Sequence, residues 1–301
     1  MKLIDVIIIG KGPAGLSAAL YTQRANLETV IIGREGSSLE KAGKIENYFG
    51  LDQPVSGRQL LDTGEAQVKR LGVQILNEEV ASITKLYKEN YFKITTITGE
   101  YYAKAILIAT GQPQKSINIE GLKEFEGRGV SYCTTCDGFF YRDMSTGVLG
   151  HGAYAVHEAE ELEAYTKDIT IFTNGADWDA TGDLADKAGK FKIITRAVQK
   201  LKGDEFLQEI CFTDGKCQKL DGLFVAYGTA SSVDFAKKLG IVTEGNSIAV
   251  DKKQATNIEG AFAAGDCTGG LKQVSTAVGQ GAVAGKSIIE YVRALKGAEQ
   301  S

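Results

Sequence analysis

The chain opens on an apolar run that ends in glycine. Residues 5–10, Asp-Val-Ile-Ile-Ile-Gly, read as a strand buried on both faces, because a parallel strand covered by helices shows a continuous run rather than alternation. Residues 13–24 read as a helix and 28–33 as a second strand, which together make a βαβ opening. A later strand is predicted over 105–109, closing on Thr110-Gly111. The pattern restarts at 147–150, with a helix over roughly 154–165 and a strand at 169–173. Residues 260–266, Gly-Ala-Phe-Ala-Ala-Gly-Asp, read as a short strand ending in Gly-Asp, followed by a small-residue helix from Ser275 onward. Two such openings about 140 residues apart predict an α/β protein of two Rossmann-like, doubly wound, three-layer domains. The simplest arrangement inserts 115–242 into a first domain built from 1–114 and 243–301. The connections then fall near 112–117 and 240–245, where Gly111, Gly240 and Gly245 can absorb backbone rotation.

Composition agrees with two domains. The 301 residues exceed one ordinary core, and 43% hydrophobic with 24% charged residues is the balance of a folded protein, not a disordered one. The first apolar run is too short for a signal peptide, and no run approaches the roughly 18 residues of a membrane span, so a cytoplasmic protein is expected. A net charge of −4 argues against a general nucleic-acid binder. Acidic residues outnumber basic ones over 115–242, while the remainder is nearly balanced and carries Lys44 and Lys272.

Gly10-Lys11-Gly12-Pro13-Ala14-Gly15 follows a strand and opens a helix, the context that makes such a fingerprint credible. Gly10 permits the tight turn, Gly12 lets a pyrophosphate approach the backbone, and Gly15 lets helix and strand pack closely, with phosphate on the positive end of the helix. The acid expected after the second strand is offset to Glu35.

Cys133-Thr134-Thr135-Cys136 places two of the five cysteines three apart before a predicted helical turn, where they can close a disulfide. Asp137 disfavours a thiolate beside it but suits a proton carrier for a leaving thiolate. The other reading, half a zinc site, lacks further ligands because His151 and His157 are the only histidines, so no metal is expected. Cys211, Cys217 and Cys267 are isolated and read as buried structural thiols.

The fingerprint, Ile45-Glu46-Asn47-Tyr48-Phe49-Gly50, Ala109-Thr110-Gly111, Cys133 to Tyr141, Gly265-Asp266 and Lys272-Gln273-Val274-Ser275-Thr276-Ala277 occur in one order. By these segments the chain resembles the low-molecular-weight thioredoxin reductases over nearly its whole length. The resemblance implies FAD in the first domain, a redox disulfide in the second, thioredoxin as substrate and a homodimer. It implies catalytic roles for Cys133, Cys136 and Asp137, with Cys136 toward the flavin and Cys133 toward thioredoxin. It implies a cofactor-binding set of Gly10, Gly12, Pro13, Ala14, Gly15, Glu35, Asn47, Ala109, Thr110, Gly111, Gly265, Asp266, Lys272, Gln273 and Val274. Asp266 after a tight glycine suits a ribityl hydroxyl, and Gln273-Val274 at a helix start can offer backbone donors to the flavin ring.

The second fingerprint departs from that family. Its turn is Gly150-His151-Gly152-Ala153-Tyr154-Ala155, with His151 and Tyr154 where the family carries small or short polar residues. The stretch expected to supply arginines for a 2′-phosphate is Thr173-Asn174-Gly175-Ala176-Asp177-Trp178-Asp179-Ala180, with no arginine and two acids. Each lost charged hydrogen bond is worth about 1.5–3 kcal/mol, so NADPH use is not expected. This loss resembles the ferredoxin-dependent flavin thioredoxin reductases of clostridia and some cyanobacteria, which implies reduced ferredoxin as donor. Against it stand an NADH- or NADPH-dependent reductase, with Asp177 or Asp179 on a ribose hydroxyl in the NADH case, a diflavin relative, and a non-enzymatic flavin sensor.

Overall fold

A computed structural model describes residues 2–35, 37–111, 117–178, 183–227 and 231–298. The chain divides into two compact units, 1–114 with 231–301, and 115–230.

The first unit begins with β1 (Leu3–Ile9), α1 (Pro13–Arg24) and β2 (Thr29–Ile32). It continues through α2 (Gly57–Arg70), β3 (Gln74–Leu76), β4 (Val80–Leu86), β5 (Tyr91–Thr96) and β6 (Glu100–Ile108). Strands β3, β2, β1 and β6 lie side by side and parallel, and β5 and β4 extend the sheet as an antiparallel meander. Val6, Ile7 and Ile8 are fully buried, as the unbroken apolar run requires of a strand with both faces covered.

The second unit contains β7 (Val130–Ser131), α3 (Thr134–Asp137), β8 (Thr146–Leu149), α4 (Ala153–Leu162), β9 (Ile169–Phe172), α5 (Asp183–Ala188) and β10 (Lys192–Ile194). The antiparallel strands β11 (Val198–Gly203), β12 (Leu207–Phe212) and β13 (Cys217–Lys219) follow, then β14 (Gly222–Val225). A parallel sheet in the order β10-β9-β8-β14-β7 packs against the three-stranded sheet β11-β12-β13. Leu149, Phe172 and Leu223 meet Leu201, Ile210 and Phe212 in one core.

The chain then returns to the first unit with α6 (Ser232–Leu239), β15 (Thr243–Glu244), β16 (Ser247–Ile248), β17 (Ala261–Ala263) and α7 (Val274–Ala298). β17 adds to β6 in parallel, and α7 lies on α1. Gly281 allows this approach, because a Cβ there would collide with the carbonyl oxygen of Ala14. The return comes at 231, not at 243 as the sequence suggested. α6 is sealed into the first unit: it packs on β4, and Ser232 Oγ donates to Gly111 O at 3.4 Å. Gly240 and Gly245 are therefore not connections between units. Gly240 is the left-handed cap of α6, and Gly245 (φ 60°) turns β15 into β16. Of the other predicted connection, near 112–117, residues 112–116 lie outside the described residues.

Candidate functional site

In the first unit the fingerprint forms as the sequence predicts. Gly10 has φ 110°, and a Cβ on it would run into Ala109 O at the end of β6. A Cβ on Gly15 would strike Gly10 O, so the first turn of α1 can sit against β1 only without one. Gly12 caps α1 with no side-chain hydrogen bond, and a Cβ on it would meet nothing within 4 Å. That open face beside the free N–H groups of a helix start is where a phosphate can settle. Pro13 is the first helical residue.

Two more segments converge there. Gly265 (φ 86°) comes close enough that a Cβ would lie 3.0 Å from that of Ala14, which brings Asp266 to this end of the sheet. Gly265 N is fixed by donating to Gln280 Oε1 at 2.8 Å. Thr110 Oγ1 is buried without a hydrogen-bond partner, a donor and acceptor suited to a bound polar group. Asn47 Nδ2 donates to Gln273 Oε1 at 2.8 Å across 226 positions of sequence, just before Val274 opens α7. Lys272 is exposed in the same segment.

Glu35 carries ties that the sequence did not reveal. It pairs with Lys11 and, at 3.0 Å, with Arg58. The hydrogen bond from Lys11 holds the Glu35 carboxyl below its ordinary range. Burial works against the Lys11 ammonium, yet Glu35 and Glu65 outweigh it and raise its pKa. A lysine inside a glycine fingerprint was the available signal. Together these residues fit a dinucleotide cofactor.

In the second unit Cys133 and Cys136 form a disulfide at the start of α3. Cys133 is the N-cap and its Sγ accepts from Cys136 N at 3.2 Å. Cys133 is 4% exposed, whereas Cys136 is exposed. Asp137 Oδ2 accepts from Ser131 Oγ at 2.6 Å, and the same hydroxyl oxygen accepts from Cys133 N at 3.1 Å. Beneath the pair, buried Glu158 of α4 accepts from Thr134 Oγ1 at 2.6 Å and Thr134 N at 3.4 Å. Ser131 and Glu158 carry no local motif, so only the tertiary fold identifies them.

The worn turn keeps its backbone form. A Cβ on Gly150 would collide with Ala226 O, as one on Gly10 would with Ala109 O. Gly152 (φ 132°) caps α4, His151 meets the Tyr227 ring edge-on at 5.0 Å, and Tyr154 is buried. Past β9 the chain closes on itself. Thr173 Oγ1 donates to Ala176 O at 2.7 Å, Asn174 (φ 55°) accepts from Val198 N at 2.8 Å, and Gly175 N donates to Thr195 O at 3.0 Å. Arg196, in the loop against this turn, is engaged elsewhere, with Asp214 at 3.1 Å and over the Phe212 ring at 4.0 Å. Asp177 follows the turn, and Asp179 lies outside the described residues.

One cysteine expectation is overturned. Cys211 and Cys217 are not isolated thiols but a second disulfide, because β12 and β13 place them directly opposite one another. Asp214-Gly215 between two apolar-flanked runs was the hairpin signal. Cys267 is a buried free thiol, as expected.

The family model of pyridine nucleotide-disulphide oxidoreductases matches residues 4–281. Thioredoxin reductase of Listeria innocua is 34% identical over 308 residues, covering 98% of this chain and 96% of the relative. That of Aquifex aeolicus is 33% identical over 309 residues, covering 98% and 95%. The atypical thioredoxin reductase TRi from Desulfovibrio vulgaris Hildenborough superposes with a TM-score of 0.94 at 39% identity, over 97% of this chain and 98% of that one. A ferredoxin-flavin thioredoxin reductase from Clostridium acetobutylicum gives a TM-score of 0.73 at 28% identity, over 97% and 98%.

Proposed function

The chain belongs to the pyridine nucleotide-disulphide oxidoreductase family, as a thioredoxin reductase with FAD as its cofactor, and we propose that its electrons come from reduced ferredoxin rather than NADPH. The observation that carries this is the turn at 173–176. Its polar groups are spent on its own backbone and on the loop at 195–198, and an acid follows where a 2′-phosphate needs cations. The relative from C. acetobutylicum, named for ferredoxin and flavin, supports the same donor.

FAD would be held by the Gly10–Gly15 turn, with Asp266 toward the ribityl chain, Asn47, Gln273 and Val274 toward the ring, and Glu35 toward the ribose. When bound it supplies the centre that gathers single electrons and delivers them as a pair. Two reduced ferredoxins and two protons convert the Cys133–Cys136 disulfide to two thiols. Cys133 then attacks the thioredoxin disulfide, forming a mixed disulfide and releasing a thiolate that Asp137 is placed to protonate. Cys136 attacks Cys133 Sγ, releasing reduced thioredoxin and restoring the pair. Cys133 is buried as the N-cap, so this sequence requires it to be uncovered before thioredoxin can reach it.

Anaerobic titration of the flavin absorbance tests the donor. Reduced ferredoxin is expected to bleach it readily, and NADH or NADPH at millimolar concentration slowly or not at all. Fast stoichiometric bleaching by NADPH overturns the reading.

A further inference from the structure

We propose that Cys211 and Cys217 are a second, externally accessible dithiol–disulfide couple, with Cys217 as the sulfur that exchanges with outside thiols. This inference is independent of which donor feeds the flavin.

The hairpin geometry gives the two sulfurs different surroundings. Cys211 lies on the central strand β12 and is 2% exposed, while Cys217 opens the edge strand β13 and is exposed. Leu201 and Ile210, which pair across β11 and β12, are among the residues of this sheet that face the core. Their neighbours in register therefore point the other way. Lys200 stands opposite Cys211, Lys202 opposite Glu209, and Lys219 opposite Glu209 on the far side. The bridge thus sits on the outer face among three lysines and one glutamate. Lys202 Nζ lies 3.8 Å from Cys217 Sγ, and the Glu209 carboxylate lies within 4.8 Å of both sulfurs.

These surroundings decide the chemistry. An external thiolate can reach only the exposed sulfur, so attack falls on Cys217 Sγ. The S–S bond breaks, and Cys211 leaves with the electron pair and takes a proton. The second thiol of an external dithiol then attacks the external sulfur of the mixed disulfide, and Cys217 leaves as a thiolate that takes a proton. The dithiol leaves oxidised to its disulfide, and the hairpin has gained two electrons and two protons. In the reverse direction the ammonium of Lys202 favours a Cys217 thiolate, which is the nucleophile that meets a disulfide from outside. Cys211, its direct cross-strand partner, then resolves the adduct. The chemical class of the partner is a dithiol, small or carried by a protein. Strand pairing keeps the two sulfurs in place through the cycle, since backbone hydrogen bonds hold β12 to β13 independently of the bridge.

The test uses the FAD-loaded full-length protein and dithiothreitol as the probe. The protein is equilibrated natively with graded ratios of reduced to oxidised dithiothreitol, quenched in acid, alkylated, and read cysteine by cysteine by peptide mass spectrometry. Cys211 and Cys217 are expected to become alkylated together, reversibly, while Cys267 stays protected. A bridge that opens only after denaturation overturns the proposal, as does a pair that never closes under oxidised dithiothreitol. In a second arm, Cys211→Ser should trap oxidised glutathione as a stable adduct at Cys217, whereas Cys217→Ser should leave Cys211 without one. Equal trapping by both variants overturns the assignment of the exchanging sulfur. Both variants should keep full flavin content and flavin reduction, which verifies that they fold. In Cys211→Ser, adding Lys202→Gln should slow alkylation of Cys217 at neutral pH by roughly threefold or more and move its pH profile upward. An unmoved profile removes Lys202 from the mechanism.

Discussion

Cys133 and Cys136 stand three residues apart yet in opposite circumstances, one buried under a helix start and one exposed. Burial alone would favour attack at Cys136; the proposed roles, with Cys133 meeting thioredoxin once it is uncovered, make the substitutions asymmetric in the other sense. Cys136→Ser is expected to hold thioredoxin on Cys133 as a stable mixed disulfide, and Cys133→Ser to trap nothing; non-reducing gels read this directly with a thioredoxin that lacks its resolving thiol and carries its remaining cysteine as a mixed disulfide with thionitrobenzoate, which leaves when Cys133 attacks. Asp137→Asn, by removing the acid tethered to Ser131, should slow thioredoxin turnover by about 10²-fold or more while sparing flavin reduction, as single-turnover kinetics would separate. Cys267 yields a pH prediction. Burial pushes its thiol from 9.0 up to about 12, and its Sγ–H donates to Ala264 O at 3.2 Å. The folded state keeps the proton that the unfolded chain releases, so stability is complete below pH 9.0 and falls as pH rises toward 12. Cys267→Ala should flatten that part of the stability curve in chemical denaturation. At this scale the sequence was legible wherever function needs residues close in the chain, as in Cys133-Cys136-Asp137 and Gly10-Gly12-Gly15. It was silent on Ser131, Glu158 and the partners of Glu35, because those contacts span other elements. Cys211 and Cys217 were misread because each was taken singly, without the hairpin that joins them.

Among elements, the contact of α1 with α7 depends on a glycine. Gly281 faces the backbone of α1, whereas Gly279, two residues away on the same helix, meets nothing within 4 Å. Gly281→Ala is expected to force the helices apart, costing about 1–3 kcal/mol and lowering FAD occupancy, since α1 carries the phosphate end of the cradle. Gly279→Ala should stabilise by about 0.5–1 kcal/mol through helix propensity alone. Thermal melts and the ratio of flavin to protein absorbance distinguish the two. The sequence pattern placed both βαβ openings and this small-residue helix because buried parallel strands and amphipathic spacing leave clear periods. It missed β11, β12 and β13, whose apolar positions are interrupted by the charges of an outer face.

At the scale of the whole molecule, charge is unevenly shared between the units. Acidic residues predominate over 115–230, and the remainder is close to neutral. An acidic one-electron carrier should approach the flavin-binding unit, with Lys272 near the start of α7 contributing. Raising ionic strength should slow ferredoxin-driven flavin reduction severalfold, and Lys272→Glu should slow it further at low salt. Stopped-flow traces at several salt concentrations measure both. Rates that ignore salt place the carrier's approach elsewhere. The return of the chain to the first unit came earlier than expected. Polar α6 carries no mark in its own sequence of which unit it joins; its packing on β4 does.

The split of the first unit around the second also fixes the order in which the protein can be made. The C-terminal part of one edge of β6, at Ile106–Ile108 beyond its pairing with β5, leaves the ribosome open, because its partner β17 is encoded some 150 residues later, and α7, whose Ile288 and Val292 fill the same core, comes later still. At about 5–20 residues per second, that edge waits roughly 8–30 s for its neighbour. The inserted unit, continuous in sequence, can close its core during that interval. The nascent chain therefore presents a finished disulfide-bearing module tethered to an unfinished flavin fold. An unpaired hydrophobic edge of this kind invites wrong pairing between neighbouring chains. Slower translation after residue 230 should lower the soluble yield, and a chaperone that shields strand edges should restore it.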